Sequence, residues 1–211
     1  MMDFQHFITQ LEITITNYLP GEESQQKMRV NYDQSIELPF SKNNSTASAV
    51  LILLYLEDNE IHFFLTKRSN ELEHHKGQIS LPGGTQEENE ELTHTALRET
   101  QEEIGINKTS ISIIGSMTPL FVPVTGFMIH PFIGYSSNKL EPTPDPSEVE
   151  AIFSVNISDL LNETNQTIEK RNIRGYDVEV PYFKLNNYEV WGATSMILSE
   201  FRDLIKSINE E

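Results

Sequence analysis

Apolar residues along this chain recur with two different periods, and the switches between them mark out the elements. Phe4, Phe7, Ile8, Leu11, Ile15 and Tyr18 fall at helical spacing and Pro20-Gly21 ends the run, which predicts a helix from residue 3 to about 19. "AVLILLYLE" (49–57) is a continuous apolar run and reads as a buried strand. "IHFFLTKR" (61–68) follows as a second strand, with "DNE" between them as a hairpin turn. "GQISLPGG" (77–84) is a short strand closing on a Pro-Gly-Gly turn, and "ISIIGSMTP" (111–119), "FMIHPFIGY" (127–135) and "AIFSVN" (151–156) are further strands. "ISDLLN" (157–162) reads as a short helix capped by Ser158, "DVEVPYFKL" (177–185) and "YEVW" (188–191) as a hairpin, and residues 194–208 as an amphipathic closing helix.

The segments between are polar or broken by proline. "SKNNSTAS" (41–48), "PLFVPVTG" (119–126) and "KLEPTPDPSEVE" (139–150) read as loops. No internal repeat or break in composition divides the chain. Mixed strands with interspersed helices predict one domain of the α/β (α+β) class, residues 46–211, preceded by an N-terminal helix and linker at 1–45.

Charge narrows the choice of partners. Fifteen basic against thirty-two acidic residues give a formal net charge of -17, which argues against a nucleic acid or an anionic membrane. A small anionic ligand stays open, because a few cations or a bound metal reverse a local field. With no cysteine there is no disulfide, thiolate metal site or cysteine nucleophile. Neither a secretory leader nor an apolar run of about 18 residues is evident, so the expected location is the cytoplasm.

The chemistry concentrates in one acidic stretch. Residues 82–105 carry Glu87, Glu88, Glu90, Glu91, Glu99, Glu102 and Glu103. Read as a helix, the stretch takes Asn89 as N-cap, Glu90 and Glu91 as first-turn partners of the dipole, and Gly105 as a left-handed stop. Leu92, Ala96, Leu97, Thr100 and Ile104 share an arc of roughly 140° toward the core. Glu99, Glu102 and Glu103 occupy a second arc of about 100° along its border. Like charges at this spacing repel, and Arg98 offsets only part of that. A solvated acidic face is one reading. A magnesium or manganese site is the other, favoured by the rim position of the acids and by the adjoining Pro-Gly-Gly turn.

From Gly84 the spacing runs Gly-x5-Glu-x7-Arg-Glu-Thr-x-Glu-Glu-x-Gly-Ile, through Glu90, Arg98, Glu99, Glu102, Glu103 and Gly105. This resembles the Nudix box at every fixed position, with Thr100 standing where a bulky aliphatic residue is usual. "LTKRSNELEHHKGQISLPGG" (65–84) is similar to the extra motif of the coenzyme A pyrophosphatase branch of that family, with His75 aligned across a one-residue insertion. The resemblance implies a Nudix-type α/β/α sandwich around a mixed sheet, with an N-terminal helical extension. It also implies hydrolysis of coenzyme A or acyl-CoA to 3′,5′-ADP and the (acyl-)4′-phosphopantetheine. ADP-ribose, dinucleotides or nucleoside triphosphates are alternative substrates, and a non-catalytic binding module is an alternative role.

By the same resemblance Glu99, Glu102 and Glu103 are ligands of Mg2+ or Mn2+, with the Gly83 carbonyl as a fourth. Arg98 orients these acids together with Glu90. Within the box Glu102 or Glu103 serves as general base; in the distal loop Glu148 and Glu150 are the candidates, and Glu148 is preferred. Lys67, Arg68, His74, His75 and Lys76 form a cationic cluster just before the box; Lys67, Arg68 and His75 are the expected contacts to substrate phosphates. Nudix enzymes commonly dimerise, and the N-terminal helix is the candidate surface for a homodimer.

Overall fold

The computed structural model describes residues 3–31, 39–69, 77–173 and 175–208. Its first two elements are helices, α1 (Phe4–Asn17) and α2 (Gly21–Gln26). Gly21, expected only to stop α1, takes φ 69° and opens α2. The long strand β1 (Thr46–Glu57) then forms the centre of the molecule. It starts inside the segment expected to be a loop, whose polar residues include a 3-10 turn at Lys42–Asn44. β2 (Glu60–Arg68) returns antiparallel across a turn in which Asp58 and Asn59 both take positive φ, the backbone that suits a tight hairpin.

Two very short strands follow, β3 (Ile79–Ser80) and β4 (Gly83–Thr85), then α3 (Leu92–Ile104). Beyond it lie β5 (Ser112–Ser116), β6 (Leu120–Val122) and β7 (Phe127–Tyr135). β6 falls within the proline-flanked stretch expected to be a loop and pairs with β7. β8 (Val149–Asn156) leads into α4 (Ile157–Leu161), whose cap is the Asn156 side chain accepting from the Ser158 N–H. Ser158 is therefore the first turn, not the cap. β9 (Gln166–Ile173), β10 (Tyr176–Leu185), β11 (Tyr188–Trp191) and α5 (Ala193–Ile208) complete the chain.

β1 explains the architecture. It pairs with β7 in parallel and with β2 and β4 in antiparallel fashion, so the eight-stranded sheet is mixed, in the order β3-β2-β1-β7-β5 with β4, β6 and β8 branching from it. Its side chains alternate between two cores. Ile52 and Leu54 join Phe7, Leu11, Leu198 and Phe201 from α1 and α5 on one face. Leu51, Leu53 and Tyr55 join Ala96 and Ile104 from α3 on the other. A strand buried on both faces is apolar at every position, which is the pattern the sequence carries. The product is the expected α/β/α sandwich, with α1 packed into the same core as α5 and the central sheet. A second, three-stranded antiparallel sheet, β11-β10-β9, flanks it. Among the described residues no helix is long and apolar enough to cross a membrane.

Candidate active site

The acidic helix sits where the chain enters and leaves it under tight control. α3 begins at Leu92 with Glu91 as its flanking residue, two positions later than Asn89 would place it. Asn89 instead takes φ 63° in the preceding turn, a conformation asparagine tolerates better than most residues. Glu90 and Glu91 accordingly precede the helix and do not sit in its first turn. At the other end Gly105 takes φ 71° and closes the helix as expected. The proline-rich segment 139–150 then folds over that end. Its Thr143 N–H donates to the Ile104 carbonyl (2.8 Å) and its Asp145 N–H to that of Glu103 (3.1 Å). The same segment is fastened to β2, since Ser69 N–H donates to the Glu148 carbonyl at 2.8 Å.

The core-facing arc of α3 holds Thr95, Ala96, Thr100, Glu103 and Ile104 as buried residues. Thr100 is tolerated in place of an aliphatic residue because its hydroxyl donates to the Ala96 carbonyl at 2.7 Å and so is not left unpaired in the core. Glu103 is the exception among these core residues. It is only 2% exposed, and its contacts are one N–H, from Gly83 to Oε2 at 3.2 Å, and the Arg68 guanidinium, whose Nη1 lies 3.5 Å from Oε1. Burial pushes its carboxyl up to about 8, against the pull of those two partners, and Glu99 and Glu148 nearby push in the same direction.

The two glycines before the helix are shaped for these acids. Gly83 takes φ 153°, and a Cβ there would stand 2.3 Å from the Ala49 carbonyl oxygen. At Gly84 a Cβ would stand 2.4 Å from Cδ of Glu99, so the glycine is the cradle into which the Glu99 carboxylate fits. Glu99 is raised above the usual carboxylate range, chiefly by desolvation and in spite of Arg98.

Arg98 is saturated. Its Nε and Nη2 grip the two oxygens of Glu90 at 2.9 and 3.0 Å, and Nη2 also donates to the Thr85 carbonyl at 3.1 Å. Nη1 reaches both Glu99 (2.8 Å) and Glu102 (2.9 Å). Glu90 is therefore a brace, as expected, and partners unforeseen from the sequence support it, the Glu87 N–H donating to Oε2 at 3.2 Å among them. The buried Thr95 hydroxyl donates to Glu90 Oε2 at 2.7 Å, and the Gln86 amide donates to the Glu90 carbonyl at 2.6 Å. The Arg98 fork, helped by Thr95, holds the Glu90 carboxyl down at about 2.

The three expected ligands are thus gathered at one end of the sheet but divided between two arginines, Glu99 and Glu102 on Arg98 and Glu103 on Arg68. Among the described residues no three acidic or histidine side chains already form a closed cation cage. The donor set nevertheless fits a hard divalent ion, with three carboxylates, one of them buried and under-neutralised, beside bare glycine backbone. Glu148 stands close enough to raise both Glu99 and Glu103 electrostatically.

The cationic cluster fares differently. Lys67 and Arg68 are neighbours in sequence, but strand alternation separates their side chains. Arg68 faces Glu103, whereas Lys67 lies 2.5 Å from Glu150 on the face that carries α5. Lys67 and Arg68 therefore engage different acids, and Glu150 is a partner of Lys67. His74, His75 and Lys76 lie outside the described residues.

Residues 45–174 match the family model described as the NUDIX domain. The mitochondrial Nudix hydrolase 15 of Arabidopsis thaliana is 35% identical over 182 residues, covering 81% of this chain and 63% of its own length, so the chain spans less than two thirds of that relative. Nudix hydrolase 3 of Caenorhabditis elegans is 32% identical over 177 residues, covering 76% of this chain and 74% of its own. Among solved structures, RenU, a Nudix hydrolase from M. smegmatis, superposes with a TM-score of 0.56 at 14% identity, over 77% of this chain and 87% of its own, a likeness of fold.

Proposed function

This chain belongs to the Nudix family, and on that premise we propose that it is a divalent-metal-dependent hydrolase of a nucleoside-linked diphosphate, with coenzyme A or an acyl-CoA as substrate. The observation that carries the proposal is Glu103, a carboxylate almost wholly removed from water with one amide and one distant guanidinium for company. Such a group is costly unless a positive charge joins it.

Glu99, Glu102 and Glu103, with the Gly83 carbonyl, would hold the Mg2+ or Mn2+ ion. A bound ion would supply neutralising charge to the diphosphate and lower the pKa of the attacking water. The chain's own groups do the rest. Arg98, locked to Glu90, keeps the backs of Glu99 and Glu102 in place. Glu148 accepts the proton of the attacking water as its oxygen bonds to phosphorus and the bridging P–O bond breaks. The electron pair of that bond leaves on the second phosphate, giving 3′,5′-ADP and (acyl-)4′-phosphopantetheine. Arg68 binds a substrate phosphate.

Coenzyme A is favoured over other diphosphates by the stretch Leu65–Gly84, which resembles the motif of the coenzyme A pyrophosphatase branch. The test is product analysis after incubating the protein with coenzyme A and magnesium, then manganese, beside dephospho-coenzyme A, ADP-ribose, a dinucleotide and a nucleoside triphosphate. Faster cleavage of coenzyme A than of its dephospho form is expected. Equal cleavage of the two removes coenzyme A as the preferred substrate, and no cleavage of any diphosphate removes the enzymatic reading.

A further inference from the structure

We propose that Arg68 competes with the divalent cation for Glu103, leaves that carboxylate when the cation takes it, and then turns to a substrate phosphate, so that the cation binds first and the substrate second. The inference rests on the diphosphate-hydrolase reading above.

Three features of Arg68 carry it. Its Nη1 stands 3.5 Å from Glu103 Oε1, within reach of ionic attraction but longer than a good hydrogen bond, so no hydrogen bond ties the guanidinium to that carboxyl. Its Nε is buried and has no hydrogen-bond partner among the described residues, which leaves part of its donor fork unfilled. Its backbone is fastened on both sides, with its N–H donating to the Gln78 carbonyl (3.0 Å) and its carbonyl accepting from the Gly77 N–H (3.2 Å). Any movement therefore belongs to the side chain, which is 29% exposed.

Arg98 supplies the contrast. Its Nε, Nη1 and Nη2 all donate, and its bidentate grip on Glu90 persists whatever happens at Glu99 and Glu102. Among the described residues Arg68 has no such second anchor. A doubly charged ion on Glu103 cancels the attraction that holds Arg68 and adds repulsion in its place. The planar fork so released matches two oxygens of a phosphate, which an ammonium cannot do.

The test measures two affinities in the whole protein: Mn2+ by electron paramagnetic resonance of the free ion, and α,β-methylene-ADP, a diphosphate that does not hydrolyse, by calorimetry. Wild type should bind the analogue about tenfold more tightly with Mg2+ than with a chelator. Arg68→Gln should bind Mn2+ about threefold more tightly, having lost the competitor, yet bind the analogue in Mg2+ about tenfold more weakly. Arg68→Lys should keep Mn2+ affinity near wild type and lose part of the analogue affinity. An arginine that merely supports the fold would weaken both on replacement, and that outcome overturns the competition, as does an unchanged affinity for the analogue. Failure of wild type to bind Mn2+ at all would instead overturn the hydrolase reading on which it rests.

Discussion

Glu90 and Glu103 belong to the same motif, each faces an arginine, and their carboxyls are driven in opposite directions, to about 2 and about 8. The difference lies in how completely each is solvated by the protein. Glu90 takes both arms of a guanidinium, a threonine hydroxyl and the Glu87 amide at 3.2 Å. Glu103 is the more deeply buried and has a single amide and one long ionic contact. A finished ion pair marks a structural brace, and an unfinished one marks a group that lacks its counter-charge.

The comparison breaks most visibly at Glu103. Glu103→Gln should lower kcat about a thousandfold while raising the melting temperature in chelator at alkaline pH, because it deletes a buried charge. Rate assays and thermal melts on the same preparation check it. A variant that loses activity and stability together would make Glu103 an ordinary structural residue. Glu90→Gln should cost less, about 10- to 100-fold in activity, by loosening Arg98 and through it Glu99 and Glu102. Steady-state kinetics on purified folded protein decide the point, and unchanged activity would remove the brace.

The pH dependence sharpens the contrast. The carboxyl of Glu103 titrates near its ordinary value of 4.5 in the unfolded chain and near 8 in the fold. Between these values the folded protein binds the extra proton, so this group's contribution to stability falls as pH rises through the window. Affinity for Mn2+ should rise over the same range, since the ion displaces that proton. Glu90 has the reverse sign, with stabilisation present above its unfolded value and lost as pH falls toward about 2. Melts in chelator across the range, compared with Glu103→Gln, should show the first slope flattened by the substitution. The smallest effect is expected from Thr95→Val, which removes one hydroxyl from Glu90 and should cost about 1 kcal/mol of stability with activity nearly unchanged, as read by denaturant unfolding.

The central strand and the site were legible for different reasons. β1 could be read because both its faces are covered, so every residue reports burial. The acids could be read because their spacing matches the motif of the family to which the chain belongs. β9 was missed because "QTIEKRNI" is largely solvent-exposed and alternates too weakly to declare a strand. Asn89 misled because asparagine favours both the helix cap and the left-handed turn, and here the turn prevails. Lys67 and Arg68 looked like one patch, since composition counts charges and only the strand's alternation assigns them to different faces. Thr95 left no signal at all. Its role depends on Glu90 folding back from before the helix, which no periodicity predicts.

The most direct measurement is a Mn2+ titration of wild type and Glu103→Gln side by side, read by electron paramagnetic resonance, with circular dichroism showing both folded. The account predicts stoichiometric binding by wild type and loss of that binding in the variant. Equal binding by the two would mean that the buried carboxylate is not where the ion is held.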